Sequence, residues 1–232
     1  MKRIDRIYLK DELQYTLLHT NKGFLYSAKM LIKNPGRTTA EFIDGNRVNH
    51  YKPILMVFVL AGLHVLLTSF LPMKEIMTNY YVDSNAAEYR YNMFLYDKMM
   101  KYNSFIMVGI IPVAALCSWI AFKKWGHNFY EHVIINANLL SAMMIVSILV
   151  IFPIQLILVP YPILFVFIPV LLTFGIMICF TFWMFVNIYS QQSPGDVILR
   201  VLLFFTVFGI VLLLMSVAGL SYLIANGAFP GK

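Results

Sequence analysis

Residues 133–189 read VIINANLLSAMMIVSILVIFPIQLILVPYPILFVFIPVLLTFGIMICFTFWMFVNIY, without one Asp, Glu, Lys or Arg. As a single helix this run would be about 85 Å long, far beyond the roughly 30 Å of a bilayer core, so it must turn back on itself. Pro153, Pro160 and Pro162 supply the break, because proline lacks the N–H that a helix interior requires. The run therefore reads as a third span over 133–152, a tight apolar turn at 159–161, and a fourth span over 162–187 that Pro169 kinks. Downstream, Gln191 to Asp196 form a turn, 197–225 is a fifth span, and 227–232 is a short tail. Upstream, a second span over 104–122 is rich in small residues that let backbones approach: Gly109, Ala114, Ala115, Ser118 and Ala121. A first span over 53–71 opens on Pro53, a tolerated position at a helix start.

The composition agrees with a lipid solvent. Apolar residues make up 60% of the 232 and charged residues 12%, against about a quarter charged in soluble domains. The apolar runs leave too little polar sequence for a separate globular domain, so the expected fold is all-α: a polytopic membrane bundle of five transmembrane helices preceded by short interfacial helices. Cys117 and Cys179 sit within apolar runs as small buried hydrophobes, which implies neither a disulfide framework nor a zinc site. The opening MKRIDRIYLKDEL lacks the unbroken apolar core of a cleavable signal, so the first span must direct insertion. No cofactor or metal is implied.

The polar stretch ahead of the first span is NPGRTTAEFIDGNRVNHYKP, residues 34–53. Pro35 and Gly36 break the preceding helix. Thr38 and Glu41 have capping-box spacing for a two-turn helix, and Gly45 reads as its stop. Arg37, Arg47 and Lys52 hold this end in the cytoplasm and contact anionic lipid phosphates; an anion site at the start of the short helix is the sharper alternative. Residues 1–21 mix both charge signs, as in a surface helix or a tail. Over 22–33, Lys22, Lys29 and Lys33 share one helical face and Phe24, Leu25, Ala28, Leu31 and Ile32 the other, as in an interfacial helix or one packed on the bundle.

Further side chains join Glu41 as candidates for a polar site. His64 lies mid-span, where an ionisable group is a functional suspect, although a neighbouring carbonyl or hydroxyl satisfies a neutral imidazole equally well. In GHNFYEH, His127 and Glu131 are one helical turn apart, as are His132 and Asn136, yet zinc needs three or four ligands. The structural alternative has Glu131 and His132 capping or orienting the next helix. Asn136 and Asn138 can bond across helices. Residues 72–102 form an outer loop with nearly cancelling charges and six tyrosines, suited to lying along the interface. Its methionines serve as apolar filler rather than as a copper site, since no histidine or cysteine joins them.

Pro35, Gly36, Glu41, Gly45, Arg47, Tyr51 and Pro53, with Tyr130, Glu131 and His132 as a second patch, resemble the pattern of a family of bacterial multi-pass membrane proteins of unknown function. The resemblance extends over most of the chain after about Lys22 and implies architecture and a bacterial inner membrane, not an activity. Two features depart from that pattern: no Cys-x-x-Cys zinc ribbon precedes the stretch, and Asn136 and Asn138 stand where histidines are frequent.

Basic residues set the orientation. With the N-terminus inside, thirteen Lys and Arg face the cytoplasm and five the other side, which favours N-in, C-out. The net charge of +7 is then matched by anionic lipid, with no nucleic acid needed. The leading functional expectation is a membrane scaffold or lipid-interacting protein, associated with itself or with a membrane partner. A small transporter or channel subunit using His64 is the second. The third is a membrane enzyme using Glu41, Glu131 and His132 at the cytoplasmic face, although no residue is assigned as catalytic.

Overall fold

The computed structural model describes residues 23–80 and 86–225, which contain helices and turns and no strand. The readings of 1–22 and of the tail lie outside these residues. Helix α1 (23–33) turns Lys29 and Lys33 outward and packs Leu31, with Phe24, Ala28 and Ile32, against the bundle. Its Ser27 is buried, and the Ser27 Oγ accepts the Tyr51 N–H at 2.7 Å. Leu25, expected on the packed face, is exposed.

Helix α2 (Pro35–Ile43) corrects the expected cap. Asn34, not Thr38, is the N-cap, and its side chain accepts the Arg37 N–H at 3.1 Å. Pro35 makes this possible, since its missing N–H is one that a helix start leaves unpaired anyway. Thr38 Oγ1 instead donates to the Asn34 and Met30 carbonyls, tying α2 to the end of α1. Gly45, at φ 105°, follows the end of the helix in the left-handed conformation that its reading as a stop requires.

The next helix, α3 (Pro53–Thr68), has 16 residues and is about 24 Å long. It ends short of residue 71, where Thr68 and Ser69 donate their hydroxyls back to the His64 and Leu66 carbonyls. Residues 72–102, expected as an interfacial loop, are largely helical where described: α4 (Met73–Tyr80) precedes α5 (Ala86–Phe122), a 37-residue helix that contains the whole second span. Polarity alone does not stop a helix, and the chain from Ala86 to Val108 contains neither glycine nor proline, the residues least favourable to one. A Lys74 to Asp97 ion pair of 3.2 Å joins α4 to α5.

Helix α6 (Phe129–Val146) passes through a π-helical turn, Ser147–Ile151, into α7 (Phe152–Leu158). The helical stretch at the expected third span, 129–158, is therefore longer than expected. Pro153 does not end it, because the wider turn, with the Phe152 N–H donating to the Ser147 carbonyl, takes up the register that proline disrupts. The chain reverses at residues 159–161, and α8 (Pro162–Ile188) returns as one helix that runs through Pro169. After a turn in which Ser193 Oγ both donates to the Asp196 carboxylate and accepts the Asp196 N–H, α9 (Pro194–Ala225) begins three residues ahead of the expected fifth span. Of the two cysteines, Cys117 is buried as expected, whereas Cys179 on α8 is exposed on the outside of the bundle.

Four helical stretches, 89–125, 129–158, 162–188 and 194–219, are long and apolar enough to cross a membrane, and α3 is a shorter apolar helix. The described residues thus form an all-helical arrangement compatible with a membrane bundle. Helix α3 packs on α5 and α6, while α9 packs on α5 and α8. The end of α5 meets the starts of α6 and α9 and the end of α8, where Phe122 stacks on Phe185 at 4.4 Å and on Tyr189 at 5.0 Å.

Candidate functional site

The candidate polar side chains, His64 apart, gather at the end of the bundle where α3, α6 and α9 begin. Helix α2 is wedged there between α8 and α6. Gly36 permits this: a Cβ at that position would overlap Asn187 Cβ and stand 2.7 Å from the Met184 carbonyl oxygen. On the other face of the wedge, Asn138 Nδ2 donates to the buried Thr39 Oγ1 at 3.1 Å, fixing α2 to α6.

Glu41 projects from α2 with one oxygen 2.8 Å from Arg37 Nε and the other 3.6 Å from His50 Nε2. His50 is packed edge to face against Tyr26 and Phe42, and its side chain is 3% exposed. Arg37, by contrast, is mostly exposed. Arg37 and Glu41 therefore neutralise one another along one helix face, and His50 closes the inner side of the pair.

Arg47 follows the Gly45 turn. Its Nε donates to the Phe42 carbonyl at 3.4 Å, and its guanidinium lies 5.7 Å from the centre of the Phe42 ring. It lines a recess of about 210 Å³ with Phe42, Ile43, Asn128, Tyr130, Glu131 and Ile134. Arg47 and Glu131, from two separate sequence patches, thus face one opening. Beside it lies an apolar groove of about 530 Å³ that shares Phe42 and Ile134 and continues along Lys52, Pro53, Ile54, Leu55, Phe58 and Val108.

Glu131 sits at the third position of α6 and completes a capping box with Asn128: its Oε2 accepts the Asn128 N–H at 2.7 Å, and Asn128 Oδ1 accepts the Glu131 N–H at 3.0 Å. The carboxylate is favourably placed at a helix N-terminus. His132 is fully buried in the bundle, with Nδ1 3.0 Å from Ser118 Oγ, the same hydroxyl that accepts Asn136 Nδ2 at 2.7 Å. Asn136 also donates to the His132 carbonyl, and His132 Nε2 has no hydrogen-bond partner among the described residues.

Nearby, His127 Nδ1 is 3.0 Å from the Tyr189 hydroxyl. Burial, and then the Glu131 carboxylate, push that hydroxyl well above the ordinary tyrosine range, so it remains protonated at neutral pH. His64 belongs elsewhere. It lines a recess of about 410 Å³ along α3, with Thr68, Met107, Ser147, Gln155 and Thr173 among its neighbours.

Glu41, Glu131 and His132 therefore each engage different partners. Arg47 and Glu131 share an opening, Lys52 joins it through the groove, and Asn136 and Asn138 hold helices together. Two further residues, His50 and Ser118, carry no signal in the sequence that marks them. Ser118 stands in a run of small residues whose message is close backbone approach, and His50 stands in a loop where nothing foretells burial. No cluster of three or more His, Cys, Asp and Glu suited to a metal ion occurs among the described residues.

No curated protein and no solved structure matches the chain. Residues 21–64, from the start of α1 through most of α3, are similar to a family described as a protein of unknown function, DUF3667, a match that takes in Gly36, Glu41, Arg47 and Lys52 but not Glu131.

Proposed function

We propose that this protein is a lipid-interacting membrane scaffold that crosses the bilayer five times, with α3 as the short first crossing and the basic end in the cytoplasm. The observation that carries the reading is the composition of the opening at that end, where Arg47 and Lys52 flank a groove walled by apolar side chains. A basic group beside an apolar groove at a helix start suits a phosphate with an acyl chain attached. The thirteen to five distribution of basic residues supports the orientation. Tyr130, on the recess, and Val48, next to Arg47, are both well exposed and suit the boundary between headgroups and acyl chains.

In nanodiscs containing phosphatidylglycerol and phosphatidylcholine, the joint variant Arg37→Gln, Arg47→Gln, Lys52→Gln is expected to lower the enrichment of the anionic lipid around the protein about tenfold. Arg37→Gln alone contributes least, because Glu41 already neutralises Arg37. The measurement is quenching of protein fluorescence by brominated lipid of each type, and equal quenching in parent and variant would remove the basis of the reading.

One observation favours a second reading, passage of a small solute. His64, Thr68, Ser147, Gln155 and Thr173 line one recess beside the π-helical turn, and such turns recur at functional sites. Under that reading, His64→Ala slows uptake of the solute into proteoliposomes; unchanged uptake counts against it.

A further inference from the structure

The recess holding Arg47 and Glu131 and the apolar groove beside it share two walls, Phe42 and Ile134. They are two parts of one surface feature, polar at one end and apolar at the other. The apolar part follows the first turns of α3 from Lys52 to Phe58, the direction in which α3 enters the apolar bundle. A chain lying there leads from the charged opening along the helix, as an acyl chain leads from its headgroup.

The charges narrow the occupant. Arg47 offers a planar guanidinium suited to a phosphodiester, and Lys52, whose stem lines the groove, carries a second cation. An anionic headgroup with only hydroxyls beyond its phosphate satisfies these two groups but sets nothing against the Glu131 carboxylate. A headgroup that carries a primary ammonium beyond its phosphate matches all three. Asn128 holds Glu131 in place through the capping box, so the carboxylate is positioned before any ligand arrives.

We infer that the recess and groove form a seat for one phospholipid bearing a primary-amine headgroup, with the phosphate at Arg47 and Lys52, the ammonium at Glu131 and one acyl chain in the groove. This rests on the lipid-interacting reading above and goes further by assigning the headgroup class. Glu131 is a positioning group for that headgroup rather than a member of any reacting set.

The test uses the full chain, delipidated in detergent and titrated with phosphatidylethanolamine, phosphatidylglycerol or phosphatidylcholine, with bound lipid counted by native mass spectrometry. The parent protein is expected to take up one phosphatidylethanolamine in preference to the other two. Glu131→Gln keeps the cap, because glutamine serves equally at that position, yet it is expected to reduce the preference over phosphatidylglycerol about fivefold. Arg47→Gln weakens all three lipids, since each carries the phosphate, and Ile134→Trp, which fills the shared wall, lowers occupancy by every lipid. An unaltered preference in Glu131→Gln, or a parent that favours either of the other two lipids, overturns the headgroup assignment while leaving lipid binding intact. Absence of saturable binding by any lipid overturns both.

Discussion

Gly36→Leu is expected to prevent α2 from seating between α6 and α8, with loss of the folded protein from mild detergent and a lowered thermal midpoint for whatever remains. Even Gly36→Ala is expected to destabilise, and two opposing magnitudes decide the sign. Alanine favours the helix by about 1 kcal/mol over glycine, and Gly36 has no positive φ to protect. Against that, the new methyl overlaps Asn187 Cβ and approaches the Met184 carbonyl oxygen to 2.7 Å. Both obstacles are anchored to the backbone of α8, so relief requires moving a helix rather than a rotamer. Overpacking of a fixed wall costs about 1–3 kcal/mol or more, which outweighs the propensity gain. Asn187→Gly removes one obstacle and leaves the carbonyl, so the pair is expected to recover only part of the loss. A Gly36→Ala protein as stable as the parent, measured by thermal unfolding in the same detergent, would show that α2 does not dock in this manner.

The second large effect is expected at Ser118. Its hydroxyl lies 3.0 Å from His132 Nδ1 and accepts Asn136 Nδ2 at 2.7 Å, and all three residues are buried. Ser118→Ala strips one partner from each of two polar groups. In water-soluble interiors each orphaned group costs about 1–3 kcal/mol. Within a membrane bundle, polar contacts between helices average nearer to about 0.6 kcal/mol, because side chains separated in lipid find other partners. Asn136 also keeps its bond to the His132 carbonyl. The expected cost is therefore about 1–2 kcal/mol, carried mainly by His132. Because the hydroxyl is shared, Ser118→Ala combined with Asn136→Leu is expected to cost less than the sum of the two singly, since the second change removes a donor that the first left unpaired. Strict additivity in a double-mutant cycle would show that the three do not act together.

Much of the fold is legible along the chain because its signals are local. An uncharged run too long for one crossing must reverse, and the prolines at 160 and 162 place that reversal where α7 gives way to α8. Gly45 follows the end of α2, and Glu131 caps α6. Where local signals compete, the more familiar spacing misleads. Thr38 and Glu41 have capping-box spacing, but Asn34 followed by proline starts the helix one turn earlier. The tyrosine-rich segment before the second span looks like an interfacial loop, yet without glycine or proline its later part continues as helix into the second span. The site is less legible than the fold: Arg47 and Glu131 each stand out in the chain, but the 83 residues between them carry nothing that pairs the two.

Sequence alone determined that the chain is built of apolar helices, where most of them turn, and that its basic residues gather toward the first of them. Those properties follow from the chemistry of each residue and its near neighbours. Only the tertiary structure decided that α2 is driven in between α6 and α8, that His50 closes over Glu41, and that Arg47 meets Glu131 across a shared opening. Such meetings depend on which helices lie side by side, and helix packing joins residues that no periodicity along the chain connects.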